Sequence, residues 1–270
     1  MLELRDVTFY YTLQVPVLEH MNVKIHNGEF IGLGGRNGCG KTTVTRLLMG
    51  LEKPISGTIF HDGVDITAQD AAQRSRFLGY VFQRPERQMF RPTVREEIAY
   101  GPQQLGMSKQ EIEDAVAHAL EATALTDLAA AYPQNLNRGE KQRVAIASAI
   151  AMHTSCIILD EPTSGQDSAD KEHLMELLAE LNKKGMTILI ITHDMDILAR
   201  YCQRVLVIGN HTKAFDGTPQ ELFTKRDDLY ELGLSRPDAV TLSMAVPGIG
   251  YCKSMEEFTA AMLKRLGGTR

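Results

Sequence analysis

Hydrophobic and polar positions change period several times along the chain, and each change marks a kind of element. Residues 2–9 read as a strand. MNVKI (21–25) and EFIGL (29–33) flank His26-Asn27-Gly28, and TIF (58–60) and VDI (64–66) flank His61-Asp62-Gly63. Both spacings predict hairpins, because Asn-Gly and Asp-Gly accept positive φ. A helix is predicted from Lys41 to about Gly50. From 84 to 140 the character becomes helical. Ser108 and Glu111 have the spacing of a capping box, and Ile112, Val116, Ala119 and Leu120 form one apolar stripe. Residues 139–152 read as a second, Ala-rich helix. GYVFQ (79–83), CIILD (156–160), ILIIT (188–192) and RVLVIG (204–209) are short apolar runs suited to strands. Leu174, Leu177, Leu178 and Leu181 predict a helix that stops at Lys183-Lys184-Gly185. The chain from Thr218 onward reads as helical, broken at Pro237 and Pro247-Gly248, with Ser254 and Glu257 capping a last short helix.

Composition narrows the picture modestly. A chain of 270 residues can bury one large α/β core with a subdomain or tail. A net charge of -5 gives no support to a nucleic-acid partner. Cys39, Cys156, Cys202 and Cys252 are scattered, which indicates neither a disulfide framework nor a zinc site. The start, MLELRDVTFYY, is charged and strand-like, unlike a signal peptide. The strongest apolar run, MTILIIT (186–192), is far too short to span a bilayer. The expectation is a cytosolic chain, with any membrane spans supplied by another.

The chemistry begins at Gly35-Arg36-Asn37-Gly38-Cys39-Gly40-Lys41-Thr42, which matches GxxxxGK[ST] at every required position. It follows a predicted strand and opens a predicted helix. Glycines let backbone N–H groups turn inward around phosphate oxygens, and the helix N-terminus adds its positive end. Lys41 is expected to reach the β- and γ-phosphates of ATP, and the Thr42 hydroxyl to ligate Mg²⁺. A thiol at Cys39, near a helix N-terminus and a lysine, predicts a lowered pKa and ready alkylation, with protection by MgATP.

CIILDEP (156–162) is an apolar strand ending in two acids. Alternation along a strand gives adjacent side chains different directions, so Asp160 can hold Mg²⁺ while Glu161 polarises water. A strand-end acid can instead cap the next helix. His193 and Gln83 also end strands, where α/β folds place ligand sites. His193 is expected at the γ-phosphate and Gln83 in the Mg²⁺ and water shell.

With these residues in order, the sequence resembles the ABC transporter ATPase family over at least residues 1–217. The match runs through VTFYY (7–11), GRNGCGKTT (35–43), FQ (82–83), LNRGEKQR (136–143), ILDEP (158–162), SGQD (164–167) and THD (192–194). The resemblance implies an α/β fold: a P-loop NTPase (RecA-like) core, an antiparallel β subdomain, a helical subdomain at about 84–152, and a C-terminal helical tail over 218–270. It implies that Tyr11 stacks on adenine, that the loop through Thr43 binds nucleotide, and that Gln83 links the site to a membrane partner. It also implies that Asn137, Gly139 and Glu140 touch ATP held by a second ATPase subunit. FQRPERQMFRPTVREEIAYGPQQLGM (82–107) is more specifically similar to the ATPases of energy-coupling factor importers, which take up vitamins or metal ions. The implied partners are a transmembrane coupling subunit and a substrate-binding membrane subunit. No contact with the cargo is implied, and the location is peripheral, at the cytoplasmic face of the membrane. The alternative is a non-transport ABC ATPase such as the iron–sulfur-cluster assembly type, against which the FQRPERQ segment argues.

The mixed charges of 84–107 (Arg84, Arg87, Arg91 and Arg95 with Glu86, Glu96 and Glu97) read by themselves as a solvated face. The tail segment GLSRPDAV (233–240) either packs on its own domain or contacts the sister ATPase, and the sequence leaves both open. One departure stands out. Asn137-Arg138-Gly139-Glu140 occupies the place of the family's Ser-Gly-Gly-Gln. Asn137 can still donate a hydrogen bond, but Glu140 brings a negative charge toward a triphosphate unless Lys141 or Arg143 offsets it. The expectation is a non-identical partner whose signature is intact.

Overall fold

The structure is a computed structural model that describes residues 1–12 and 15–267. In chain order its elements are β1 (Leu2–Phe9), β2 (Leu18–Ile25), β3 (Phe30–Gly34), α1 (Lys41–Met49), β4 (Ser56–His61), β5 (Val64–Asp65), α2 (Ala71–Arg74) and β6 (Leu78–Val81). Then come α3 (Val94–Gln104), α4 (Lys109–Ala122), α5 (Arg138–Ala151), β7 (Cys156–Asp160), α6 (Ser168–Lys183), β8 (Thr187–Ile191) and α7 (Met195–Tyr201). The chain closes with β9 (Arg204–Gly209), β10 (Thr212–Gly217), α8 (Pro219–Lys225), α9 (Asp238–Ala245) and α10 (Met255–Gly267), and short 3₁₀ turns precede α3 and α5.

Six strands form one sheet in the order β10-β9-β3-β8-β7-β6, parallel except for β10. A parallel sheet needs both faces covered, and the strands read accordingly. Ile157 and Leu159 of β7 and Ile188 and Ile190 of β8 join the apolar cluster on the side of α5 and α6. Ile158, Leu189 and Ile191 point the other way, into a second cluster with α1 and the small sheet. That small sheet is antiparallel, in the order β2-β1-β4-β5.

Two turn expectations have different outcomes. Phe60 pairs with Asp65 and His61 with Val64 across a tight turn, with Asp62 at φ 47° and Gly63 at φ 80°. The expected 21–25/29–33 hairpin does not form. Its turn is present, with Glu29 N–H donating to His26 O at 3.3 Å, but β2 pairs with β1 while β3 lies between β8 and β9. Burial decides the partner. All five residues of β3 are buried, which only a central strand allows, whereas β2 alternates and suits a sheet with one wet face.

The tail shares the core. Leu222 and Phe223 of α8 are fully buried in the larger cluster, and Val240 of α9 joins them. Through α9 the tail therefore packs on its own domain, while α10 has no buried residue. An unforeseen fixture is Arg74, also fully buried. Its guanidinium donates to Leu47 O (2.6 Å), Leu48 O (2.8 Å) and Ile66 O (2.6 Å). It thus satisfies carbonyls at the end of α1 and ties them to the exit of β5.

Candidate nucleotide-binding and catalytic site

Because β3, β6, β7 and β8 run parallel, their C-terminal ends lie on one edge of the sheet. Topology alone therefore gathers the loop after β3, Gln83 after β6, Asp160 and Glu161 at the end of β7, and His193 after β8.

The loop from Gly35 to Gly40 is shaped by close packing. Gly35 has φ 133°, and a Cβ there would stand 2.4 Å from Ile208 O. Gly38 and Gly40 also have positive φ, while Arg36 and Asn37 are exposed on the loop's rim. Lys41 opens α1 and is buried, its ammonium donating to Gly35 O at 2.7 Å and Arg36 O at 2.9 Å. Burial lowers its pKa, against the charges of Cys39, Glu161 and Asp160. Cys39 corrects the expectation made for it. The thiol is half-buried, and that burial raises its pKa more than Lys41 and the backbone N–H groups lower it.

Thr42 Oγ1 donates to Asp160 Oδ2 at 3.4 Å, and Tyr80 OH donates to the same oxygen at 3.2 Å. Burial pushes the Asp160 carboxyl up and Glu161 adds to it, partly offset by those hydrogen bonds and by Lys41. A hydroxyl and a half-buried carboxylate, both hard oxygen donors, fit a divalent cation such as Mg²⁺. Gln83 lines the same cleft as Thr42 and Asp160. Its Nε2 donates to Glu161 Oε2 at 2.8 Å, while His193 Nε2 lies 2.9 Å from Glu161 Oε1. Glu161 sits at φ 47°, a left-handed backbone that turns its carboxylate away from Asp160 toward Gln83 and His193. Asp194 caps α7 and pairs with Lys171 at 3.2 Å, which fixes the segment carrying His193.

Thr43 is buried beneath the loop, and Tyr11 stands beside it, with its hydroxyl 3.5 Å from Thr43 Oγ1 and 3.4 Å from Arg46 Nη1. The Tyr11 ring is 55% exposed at the surface of this corner, edge-on to Phe9. Asn137, Gly139 and Glu140 lie elsewhere, at the start of α5. There Asn137 Oδ1 accepts from Glu140 N–H at 2.8 Å, and Glu140 Oε2 accepts from Asn137 N–H at 2.8 Å. This is a complete capping box, so the acidic residue serves the helix start. Neither expected counter-charge meets Glu140: Lys141 donates to Gln134 O, and the Nε of Arg143 is buried without a partner.

The 84–107 segment is not simply a solvated face. Glu97 is buried and accepts from Phe90 N–H (2.9 Å) and Arg91 N–H (2.8 Å). The Arg91 guanidinium lies 4.5 Å from the Tyr100 ring centroid. Beside them Phe82, Met89, Phe90 and Tyr100 line an apolar groove that also reaches Ala149 and Met152 of the α5 end. Sequence reasoning missed Tyr80 and Arg74, since a tyrosine in a strand reads as packing and an arginine as surface.

Compared with known proteins, residues 18–164 match the family described as ABC transporter. The chain is 35% identical over 274 residues to the energy-coupling factor transporter ATP-binding protein EcfA of Methanothermobacter thermautotrophicus, covering 99% of this chain and 88% of that one. It is 38% identical over 237 residues to the protein of the same name from Methanocaldococcus jannaschii, covering 87% and 85%. Among solved structures, cbiO1 from Clostridium perfringens, described as part of the ABC transporter complex cbiONQ, is similar at a TM-score of 0.78. That likeness has 32% identity and covers 91% of this chain and 98% of that one. Identity of that order along nearly the whole chain, with the loop, the acid pair and the histidine gathered at one sheet edge, makes the chain a member of the ABC transporter family and one of its ATPases.

Proposed function

We propose that this chain hydrolyses ATP to power a membrane importer of the energy-coupling factor type, for a vitamin or a metal ion. The observation that carries the catalytic part is the placement of Glu161. Its two oxygens are held by Gln83 and His193, next to Lys41, Thr42 and Asp160. Phosphoryl transfer to water needs positioning and charge neutralisation more than covalent chemistry. Lys41 and the loop amides bind the β- and γ-phosphates, with Arg36, Asn37, Gly38, Cys39, Gly40 and Thr43 shaping the cradle and Tyr11 offering its exposed ring to adenine. Thr42 and Asp160 would hold Mg²⁺, which when bound would supply positive charge to offset that of the phosphates. Glu161 orients the attacking water, whose oxygen bonds to the γ-phosphorus as ADP leaves. His193 contacts the γ-phosphate and keeps Glu161 aimed.

Gln83 connects this centre to the membrane partner. It follows Phe82, which lines the apolar groove, so a transmembrane subunit seated there bears on the residue that donates to Glu161. The names of the relatives support the importer type, and among the described residues no helix is long and apolar enough to cross a membrane. The chain then works as a peripheral subunit at the cytoplasmic face, paired head-to-tail with a second, non-identical ATPase and bound to a coupling and a substrate-binding membrane subunit. Asn137, Gly139 and Glu140 serve the ATP of that sister, at the weaker of the two sites. The test is to assemble the complex with Glu161→Gln here and, separately, with the matching change in the sister. Unequal losses of hydrolysis are expected, with the larger from Glu161→Gln. Co-purification with no polytopic membrane protein would refute the importer.

A further inference from the structure

The phosphate loop is supported from outside by the tail. Residues 229–234 wind one helical turn and end in Gly233, at φ 74°. Leu234 N–H donates to Leu229 O at 2.8 Å and Gly233 N–H to Tyr230 O at 3.0 Å, the paired bonds of a Schellman ending. Leu229, Leu232 and Leu234 are buried beneath it. The turn lies directly on the loop: a Cβ at Gly233 would stand 2.5 Å from Arg36 Cγ and 3.0 Å from Arg36 Cα. Leu234 packs over Gly34, where β3 passes into the loop, and Leu232 over Gly209 of β9. The Arg36 carbonyl in turn accepts from the Lys41 ammonium at 2.9 Å. Tail turn, Arg36 and Lys41 thus form one continuous set of contacts.

We propose that the 229–234 turn is a brace for the phosphate loop, and that Gly233 is a positioning residue for ATP binding. A loop with glycines at 35, 38 and 40 has more backbone freedom than an ordinary turn, and ordering it on binding costs affinity. A rigid surface pressed against Arg36 removes alternative loop conformations before ATP arrives. Only a residue without a side chain lets the turn approach that closely. The tail therefore belongs to the nucleotide site although none of these tail residues need touch the nucleotide. The inference rests on the loop being the ATP site.

The test uses the full chain for MgATP binding by calorimetry and the complex assembled with the sister ATPase for steady-state hydrolysis. Gly233→Ala is expected to weaken MgATP binding about tenfold, raising KM while the saturating rate changes less than about twofold. Gly233→Asn tolerates left-handed backbone better but carries the same Cβ, and is expected to weaken binding similarly. Adding Arg36→Ala to Gly233→Ala clears the nearest contact and is expected to recover part of the loss. Wild-type affinity in both single variants overturns the brace. So does full recovery in Gly233→Asn alone, which would place the effect in the turn's own backbone. If Gly233→Ala does not fold, hydrogen exchange on the wild-type chain decides. MgATP should slow exchange at the Gly233 and Leu234 amides, and unchanged exchange there overturns the proposal. Failure of the ATP-site reading looks different, because the wild-type chain would then not bind MgATP.

Discussion

His193 Nε2 lies 2.9 Å from Glu161 Oε1, joining the end of β8 to the residue that follows the neighbouring strand β7. The contact links the two groups to which the proposed mechanism gives the water and the γ-phosphate, without involving the phosphate loop. Binding and turnover are therefore separable. Glu161→Gln is expected to retain MgATP affinity within about twofold and to lose roughly 10²-fold or more in hydrolysis rate. Equilibrium binding and single-turnover rates on the same preparation check both halves.

Asp160 should trade stability for function. Its folded pKa is raised by burial and by Glu161, so ionisation is penalised in the native state. The sign follows: this group favours folding below its unfolded pKa of 3.8, and that benefit is lost as pH rises through the folded value. Asp160→Asn should accordingly raise the melting temperature at pH 7 by about 2–4 °C while abolishing Mg²⁺-dependent hydrolysis. The gain should vanish as pH falls toward 3.8. Calorimetric scans across pH read this directly.

At alkaline pH the limit is Lys41. Burial lowers its pKa, so the ammonium proposed to bind phosphate is lost at a pH below the ordinary 10.5. ATP affinity should fall in that range, and Cys39 should behave in the opposite sense to a reactive loop thiol. Its raised pKa predicts alkylation at pH 7.5 slower than that of an unstructured cysteine peptide, accelerating as pH rises. Mass-spectrometric labelling rates with and without MgATP check this.

Glu140→Gln restores the family's side chain and retains the capping box, because Gln can accept the Asn137 N–H that Glu140 Oε2 accepts at 2.8 Å. Stability of this chain should change by less than about 0.5 kcal/mol. Hydrolysis at the site completed by this signature should rise in the assembled complex. Asn137→Ala, in contrast, removes the cap and should cost about 1 kcal/mol.

The groove makes a prediction about assembly. Arg91 is stacked on Tyr100, with its backbone held by Glu97. Arg91→Glu should impair co-purification with the membrane subunits while leaving MgATP affinity within about twofold. Glu97→Ala leaves two backbone donors unpaired and should cost about 1–3 kcal/mol in stability.

The catalytic edge was legible because its strands are short, wholly apolar runs, and because GRNGCGKT and DE stand where parallel strands end. Adjacency was not legible: strand order brings Gln83 beside the end of β7, and the left-handed backbone at Glu161, φ 47°, presents that acid and not Asp160. The 26–28 turn illustrates the same limit, because turn chemistry is local while strand partners follow burial. β10 and its turn escaped notice because Asn210 and His211 turn at positive φ without a glycine, and its TKAFDG is only half-buried. At Asn137–Glu140 the capping spacing is as legible as at Ser108–Glu111, but it coincides with the family's phosphate-contact motif, so one pattern carries two roles.

Arg74 carries a mechanical consequence. It binds the last carbonyls of α1 to the end of the small antiparallel sheet, while Lys41 binds the helix's other end to the phosphate loop. A nine-residue helix spans about 14 Å. Clamped at both ends, α1 is a strut that ties the phosphate loop to the edge of the four-stranded sheet, so part of the loop's footing is set by that sheet.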